Sequence, residues 1–132
     1  MVPAKPGRAA DDGSAVVDFV LLMVVVVPLV LGVIQLGLVL HIRNTLTAAA
    51  SEGARYAATI DRSPVEGEAR TREMIRGALA ARYASDVSSS VTTVEGVAGV
   101  VVQVHAEVPA LGLFGPSVEI DVTGHAVEET LP

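Results

Sequence analysis

The sequence predicts an α+β fold: a long N-terminal transmembrane helix spine, a second helix and a small three-stranded antiparallel sheet. Three observations carry this expectation. One uncharged apolar run, Phe19–Leu40, dominates the first third of the chain. A helix-capping signature stands at Ser63-Pro64-Val65-Glu66. From Val87 onward the apolar residues recur every second position rather than at helical spacing.

The run reads FVLLMVVVVPLVLGVIQLGLVL, and Gln35 is its only polar side chain. As a helix it would measure about 33 Å, close to the ~30 Å of a hydrocarbon core. A helix apolar on every side has no place on the surface of a 13.6 kDa globule. Pro28 removes a backbone donor inside the run and is expected to bend the helix. Nothing breaks the helix at His41-Ile42-Arg43. Asn44–Ile60 is rich in alanine, so one continuous helix from about Ala15 to Ile60 is expected, with a hinge near His41–Asn44 as the alternative. Its small residues would let a sheet or a second helix approach closely.

Ser63 suits an N-cap, Pro64 the first helical position and Glu66 the return bond of a capping box. This helix is expected to reach about Tyr83, with Ile75, Leu79 and Tyr83 as its apolar stripe. Glu66/Arg70 and Glu68/Arg72 are spaced for i,i+4 pairs on a solvated face. Arg70, Arg72, Arg76 and Arg82 fit either that face or a basic patch for lipid headgroups or a partner. Three strands are expected next: Val87–Glu95, then one carrying Val100, Val102, Val104, Ala106 and Val108 on one face, then one carrying Val118, Ile120, Val122 and Ala126. Gly96–Gly99 joins the first two. If Val108 lies opposite Val118, His105 faces Asp121 on the polar side. A cross-strand ion pair fits there, and with Glu107 and Glu119 a metal site is the sharper alternative. The apolar connection Pro109–Pro116 fits a cap over the core or a contact with another subunit.

Composition narrows the function. The chain has 132 residues, no cysteine, and 9 Lys+Arg against 15 Asp+Glu, a net charge of −6. A disulfide framework, a thiol nucleophile and a cysteine metal cluster are excluded. An acidic chain with scattered basic residues is a poor match for a phosphate backbone, so no nucleic-acid partner is expected. No phosphate loop, metal-ligand helix motif or Ser–His–acid arrangement is visible. We expect no enzyme, no cofactor and no metal.

The apolar run has three readings. It is a plain anchor, an export signal cut near Ala48-Ala49-Ala50-Ser51, or the hydrophobic helix of a processed subunit. The third comes from what precedes the run: Gly13-Ser14-Ala15-Val16-Val17-Asp18-Phe19, in which a polar leader ends in Gly and an acid and a Phe follow. This block resembles a type IV pilin processing site. With the extension Arg43-Asn44-Thr45-Leu46-Thr47-Ala48-Ala49-Ala50, the chain resembles the TadE-like family of tight-adherence (Flp) pilus assembly proteins from about Gly13 to Glu128.

The resemblance implies a pseudopilin or minor pilin with a pilin-like layout. Residues 1–13 would be a cytoplasmic leader, 14–43 the transmembrane helix and 44–132 an extracytoplasmic α+β domain. It implies cleavage by a prepilin peptidase between Gly13 and Ser14, and a role for Asp18 and Phe19 in subunit register. The implied partners are membrane lipid, the peptidase, other pilins and pilus assembly proteins. The family usually carries Glu where this chain has Asp18. The new amine of Ser14 would lie one helical turn from Asp18, and the carboxylate could pair with a neighbour's amine. An unpaired buried charge costs about 3–5 kcal/mol, so such a pair enforces register more than it adds stability. The plainer role is an interfacial Asp at a helix N-terminus, worth ~0.3–1 kcal/mol through the helix dipole. A membrane-anchored binding or regulatory domain that is never processed is the rival reading.

Overall fold

The computed structural model describes residues 8–110 and 116–129. The chain forms α1 (Arg8–Ala58), α2 (Pro64–Ala78), a 3-10 turn (Ala81–Ala84), and strands β1 (Asp86–Val94), β2 (Val97–Val108) and β3 (Val118–Val127). The strands make one open antiparallel sheet in the order β1-β2-β3. The fold is the expected α+β arrangement, a pilin-like layout with α1 as its spine. The cap or contact expected of Pro109–Pro116 falls largely on residues 111–115, which lie outside the described residues.

α1 is continuous. It starts earlier than Ala15 and ends two residues short of Ile60, and no hinge interrupts His41–Asn44. Its C-terminal part is the core of the domain. Ile42, Leu46, Ala49, Ala50, Ala54 and Ala57 are all at most 3% exposed, packed with Val100, Val102, Val104 and Val108 of β2. Ala49 and Ala50 thus belong to the folded spine, which gives the small-residue stretch before Ser51 a use unrelated to export.

Close approach is what those alanines make possible. A Cβ on Gly124 of β3 would collide with the backbone of Ala50 and Ser51. Where α2 crosses α1, a Cβ on Gly67 would come within 2.6 Å of the Ala57 Cβ and 2.7 Å of the Gly53 carbonyl oxygen. Thr71, fully buried at this crossing, donates its hydroxyl to the Gly67 carbonyl at 2.8 Å.

α2 begins as expected. The Ser63 N–H donates to Glu66 Oε2 at 2.7 Å, and the Glu66 N–H returns to Ser63 Oγ at 3.4 Å. That backbone bond, reinforced by Arg62 at 3.1 Å, holds the Glu66 carboxyl below its ordinary value. The helix ends sooner than Tyr83. Leu79 is extended, with its N–H donating to the Ile75 carbonyl at 2.7 Å, and Tyr83 is buried from the 3-10 turn instead. The break lets the chain turn toward β1 while Tyr83 still reaches the core.

The charge pairing also differs. Glu66 pairs with Arg62, and Arg70 pairs with Glu73 at 3.2 Å, so the Glu66/Arg70 pair is not formed. Glu68 and Arg72 do pair, at 3.3 Å, but they also reach the outer edge of β1. Glu68 Oε1 accepts the Ser89 N–H at 2.9 Å and the Ser89 hydroxyl at 2.8 Å, while Arg72 donates to the Val87 carbonyl at 2.8 Å. Arg82 lies over the Tyr83 ring. Arg70, Arg72 and Arg82 thus each have a partner within the chain.

The hairpin between β1 and β2 is tighter than expected. Its turn is Glu95-Gly96, both with positive φ, the geometry a two-residue hairpin needs, so β2 starts at Val97 and Gly99 is a strand residue. The β2–β3 register places Val108 opposite Val118 and His105 opposite Asp121, as expected. Val100, Val102, Val104, Ala106, Val108, Ile120 and Val122 face the helices. Val118 shares their parity but stays 38% exposed at the end of the sheet.

Two stability tests follow from these contacts. Gly124→Ala forces β3 off α1, and chemical unfolding in detergent should show a loss of about 1–3 kcal/mol, as overpacking typically costs. Glu68→Ala strips the Ser89 amide of its acceptor and should cost about 1–3 kcal/mol. Hydrogen exchange should then accelerate at Ser89 while the Val102 and Val104 amides stay protected.

Candidate functional site: the bare half of the spine helix

Among the described residues, none buries the N-terminal part of α1. It is long and apolar enough to cross a membrane, and its apolar window has no buried residue. Val16, Val17, Phe19, Val20 and Leu21 are all more than half exposed. Helix propensity alone does not hold such a surface in water. A surrounding of lipid or of other apolar helices does.

The residues singled out for processing and register lie at the start of this surface. Gly13 is within α1, and a Cβ there would meet no atom within 4 Å. Ser14 and Asp18 are four residues apart, on one helix face and about 6 Å apart along the axis. Phe19 is 60% exposed. Among the described residues, none donates a hydrogen bond to Asp18 or pairs with it. The helix thus presents the Gly13–Phe19 block outward, with its side chains open to another molecule.

Further along, the bare helix becomes the covered helix. Gln35, the single polar side chain of the run, donates from Nε2 to the Pro109 carbonyl at 3.2 Å. Leu38 and Val39 are half-buried against the core. The sheet therefore begins to cover α1 inside the apolar run rather than beyond it. A lone amide in an uncharged run was the available signal, but the residue that it would reach was not readable from spacing.

The polar face of the sheet holds the other candidate cluster. His105 Nδ1 and Asp121 Oδ1 are 2.6 Å apart. Glu107 instead accepts a hydrogen bond from the Ser117 hydroxyl. Arg82, Asp86, His105, Glu107, Pro109 and Ser117 line an adjoining groove of about 520 Å³. Among the described residues, no group of three or more His, Asp or Glu gathers to hold a metal ion. The pair that forms is the expected cross-strand contact of His105 with Asp121.

The hydrogen bond to Asp121 raises the His105 pKa above its ordinary value of 6.5; burial opposes it as the next largest influence, and the charges of Asp121, Asp86 and Glu119 add to the rise. Folding thus favours the protonated imidazole. Its contribution is full below the unfolded histidine value and is lost as pH rises through the elevated folded value. An imidazole NMR titration should place the His105 midpoint above 6.5, and Asp121→Asn should bring it back toward that value. An unchanged midpoint in that variant would mean that the pair does not form in solution.

A long apolar helix whose C-terminal half is the core of a small α+β domain gives the chain a pilin-like layout with one helix able to cross a membrane. Among known families, residues 13–55 match the model described as TadE-like protein. The match opens on Gly13, runs through the apolar helix and ends at Arg55, within the part of α1 that the sheet and α2 cover. Roughly a third of the chain is matched, and α2 and the sheet lie beyond it. No curated protein and no solved structure matches the chain.

Proposed function

We propose that this protein is a pseudopilin or minor pilin that acts in assembly of a Flp-type (tight adherence) pilus or a related secretion system. It is a building or assembly component and not an enzyme. The observation that carries this reading is the coincidence of the TadE-like match with the exposed half of α1, beginning at Gly13. That surface has the properties of a subunit stored in the membrane and bundled in a filament. It is apolar all round, so it exchanges acyl chains for neighbouring helices without burying a polar group unpaired.

In this reading the leader of residues 1–13 lies in the cytoplasm and the domain of residues 44–132 lies outside. A prepilin peptidase cuts between Gly13 and Ser14. The new Ser14 amine and the Asp18 carboxylate then set the axial position of each helix against other pilins, with Phe19 packing beside them. Asp18 is one methylene shorter than the family's usual Glu, which demands a closer approach of the two charged ends.

A second reading, an unprocessed membrane-anchored extracytoplasmic binding or regulatory domain, draws on one observation. α1 runs unbroken through Gly13 and Ser14, and a helical peptide bond must be unwound before a peptidase can act on it. N-terminal sequencing of the protein from its host membranes separates the two. The assembly reading expects a start at Ser14, and expects Gly13→Leu to leave the leader attached. A start at Met1 or Val2 in the unsubstituted protein would leave a plain anchor, and a start near Ser51 would make the apolar run an export signal.

A further inference from the structure

The depth of Gln35 has a geometric consequence for the sheet. Asp18 bounds the apolar run on one side, and a carboxylate near the bilayer centre costs about 2.5–3.5 kcal/mol, so Asp18 stays at or outside its interface. From Asp18 to Gln35 the helix rises about 26 Å, which is less than the ~30 Å of a hydrocarbon core. Tilt shortens the span further. Gln35 therefore lies inside the opposite hydrocarbon boundary, and five more apolar or glycine residues, Leu36–Leu40, follow it. The Pro109 carbonyl, 3.2 Å from the Gln35 amide, lies at the same depth.

Pro109 is the first residue past β2, so the β2–β3 end of the sheet reaches the boundary with it. The chemistry of that end suits lipid. Pro109, Ala110, Pro116, Ser117 and Val118 carry no charge. The charges at this end lie on the sheet's polar face: Glu107 accepts a hydrogen bond from the Ser117 hydroxyl, and Arg82, Asp86 and His105 share its groove, which leaves Pro109, Ala110, Pro116 and Val118 as the uncharged tip. Val118 belongs by register to the helix-side face, yet the chain leaves it 38% exposed. The bond from Gln35 also satisfies the one side-chain amide that the run would otherwise place in hydrocarbon.

We propose that the β2–β3 end of the sheet is a membrane-inserting surface whose partner is the lipid bilayer, so that the domain is seated in the near leaflet instead of being held clear of it. This rests on α1 spanning the bilayer and is independent of processing or pilus assembly. The unsubstituted chain contains no tryptophan, which makes single-Trp reporters clean. The full chain would be reconstituted into phosphatidylcholine vesicles whose acyl chains are brominated near the headgroup. Four variants would be compared: Ala110→Trp and Pro116→Trp at the tip, Val25→Trp in the spanning helix and Thr93→Trp near the far hairpin. Bromolipid should quench both tip reporters strongly and shift their emission to the blue, while Thr93→Trp keeps nearly all of its emission. Quenching of Val25→Trp with neither tip reporter affected would overturn the proposal and leave the spanning helix intact. If Val25→Trp also escaped quenching by lipids brominated at mid-chain, the spanning helix would fall, and both this inference and the assembly reading with it.

Discussion

The fold depends on how closely a helix and a sheet can approach. Val100, Val102, Val104 and Val108 are buried because α1 presents Ala49, Ala50, Ala54 and Ala57 to the sheet. Gly124 meets the Ala50 backbone with no side chain between them. Burying a valine side chain is worth on the order of 1.5–3 kcal/mol only where a partner excludes water from it. A bulkier helix face would lift the sheet and expose part of that row. The same small-residue face admits α2 at Gly53, so one stretch of α1 organises both the helix pair and the helix–sheet layer.

An open three-stranded sheet leaves two edges, and this chain treats them differently. The β1 edge is closed from within: Glu68 and Arg72 accept from and donate to the backbone at Ser89 and Val87, doing with side chains what a fourth strand would do with its backbone. The β3 edge carries Glu119, Asp121 and His125, a charged border that discourages pairing with a foreign strand. Arg72 and Glu68 are thus misdescribed as a surface pair. Their bond to each other matters less than the backbone groups they satisfy together.

Local features were the legible ones. The change from helical to two-residue period marks the boundary near β1, the capping box starts α2 at the right residue, and the alternation in β2 and β3 is regular enough to place His105 opposite Asp121. The features that escaped are those decided by contacts distant in sequence. α2 stops at Ala78 although its apolar stripe continues, and Tyr83 is buried from the 3-10 turn that follows. Glu66 turns back to Arg62 because the cap already orients its carboxylate. Glu95 takes a left-handed conformation that its residue type does not advertise. Of the candidate site, the Gly13–Phe19 block was legible because it is contiguous. The meeting of Gln35 and Pro109 was not, since 74 positions separate them.

The unbroken α1 also has a mechanical meaning. A helix of 51 residues is about 77 Å long, and no glycine-rich joint divides its membrane half from its domain half. The domain cannot swivel on a tether. Between Pro28, where a backbone donor is missing, and Ala58 the helix carries no proline, so torque applied at the far hairpin around Glu95-Gly96 passes through the covered half of α1 and reaches Pro28 before anything in the helix can absorb it. A neighbour that leans on the sheet thereby acts on the membrane half of the helix at that one residue.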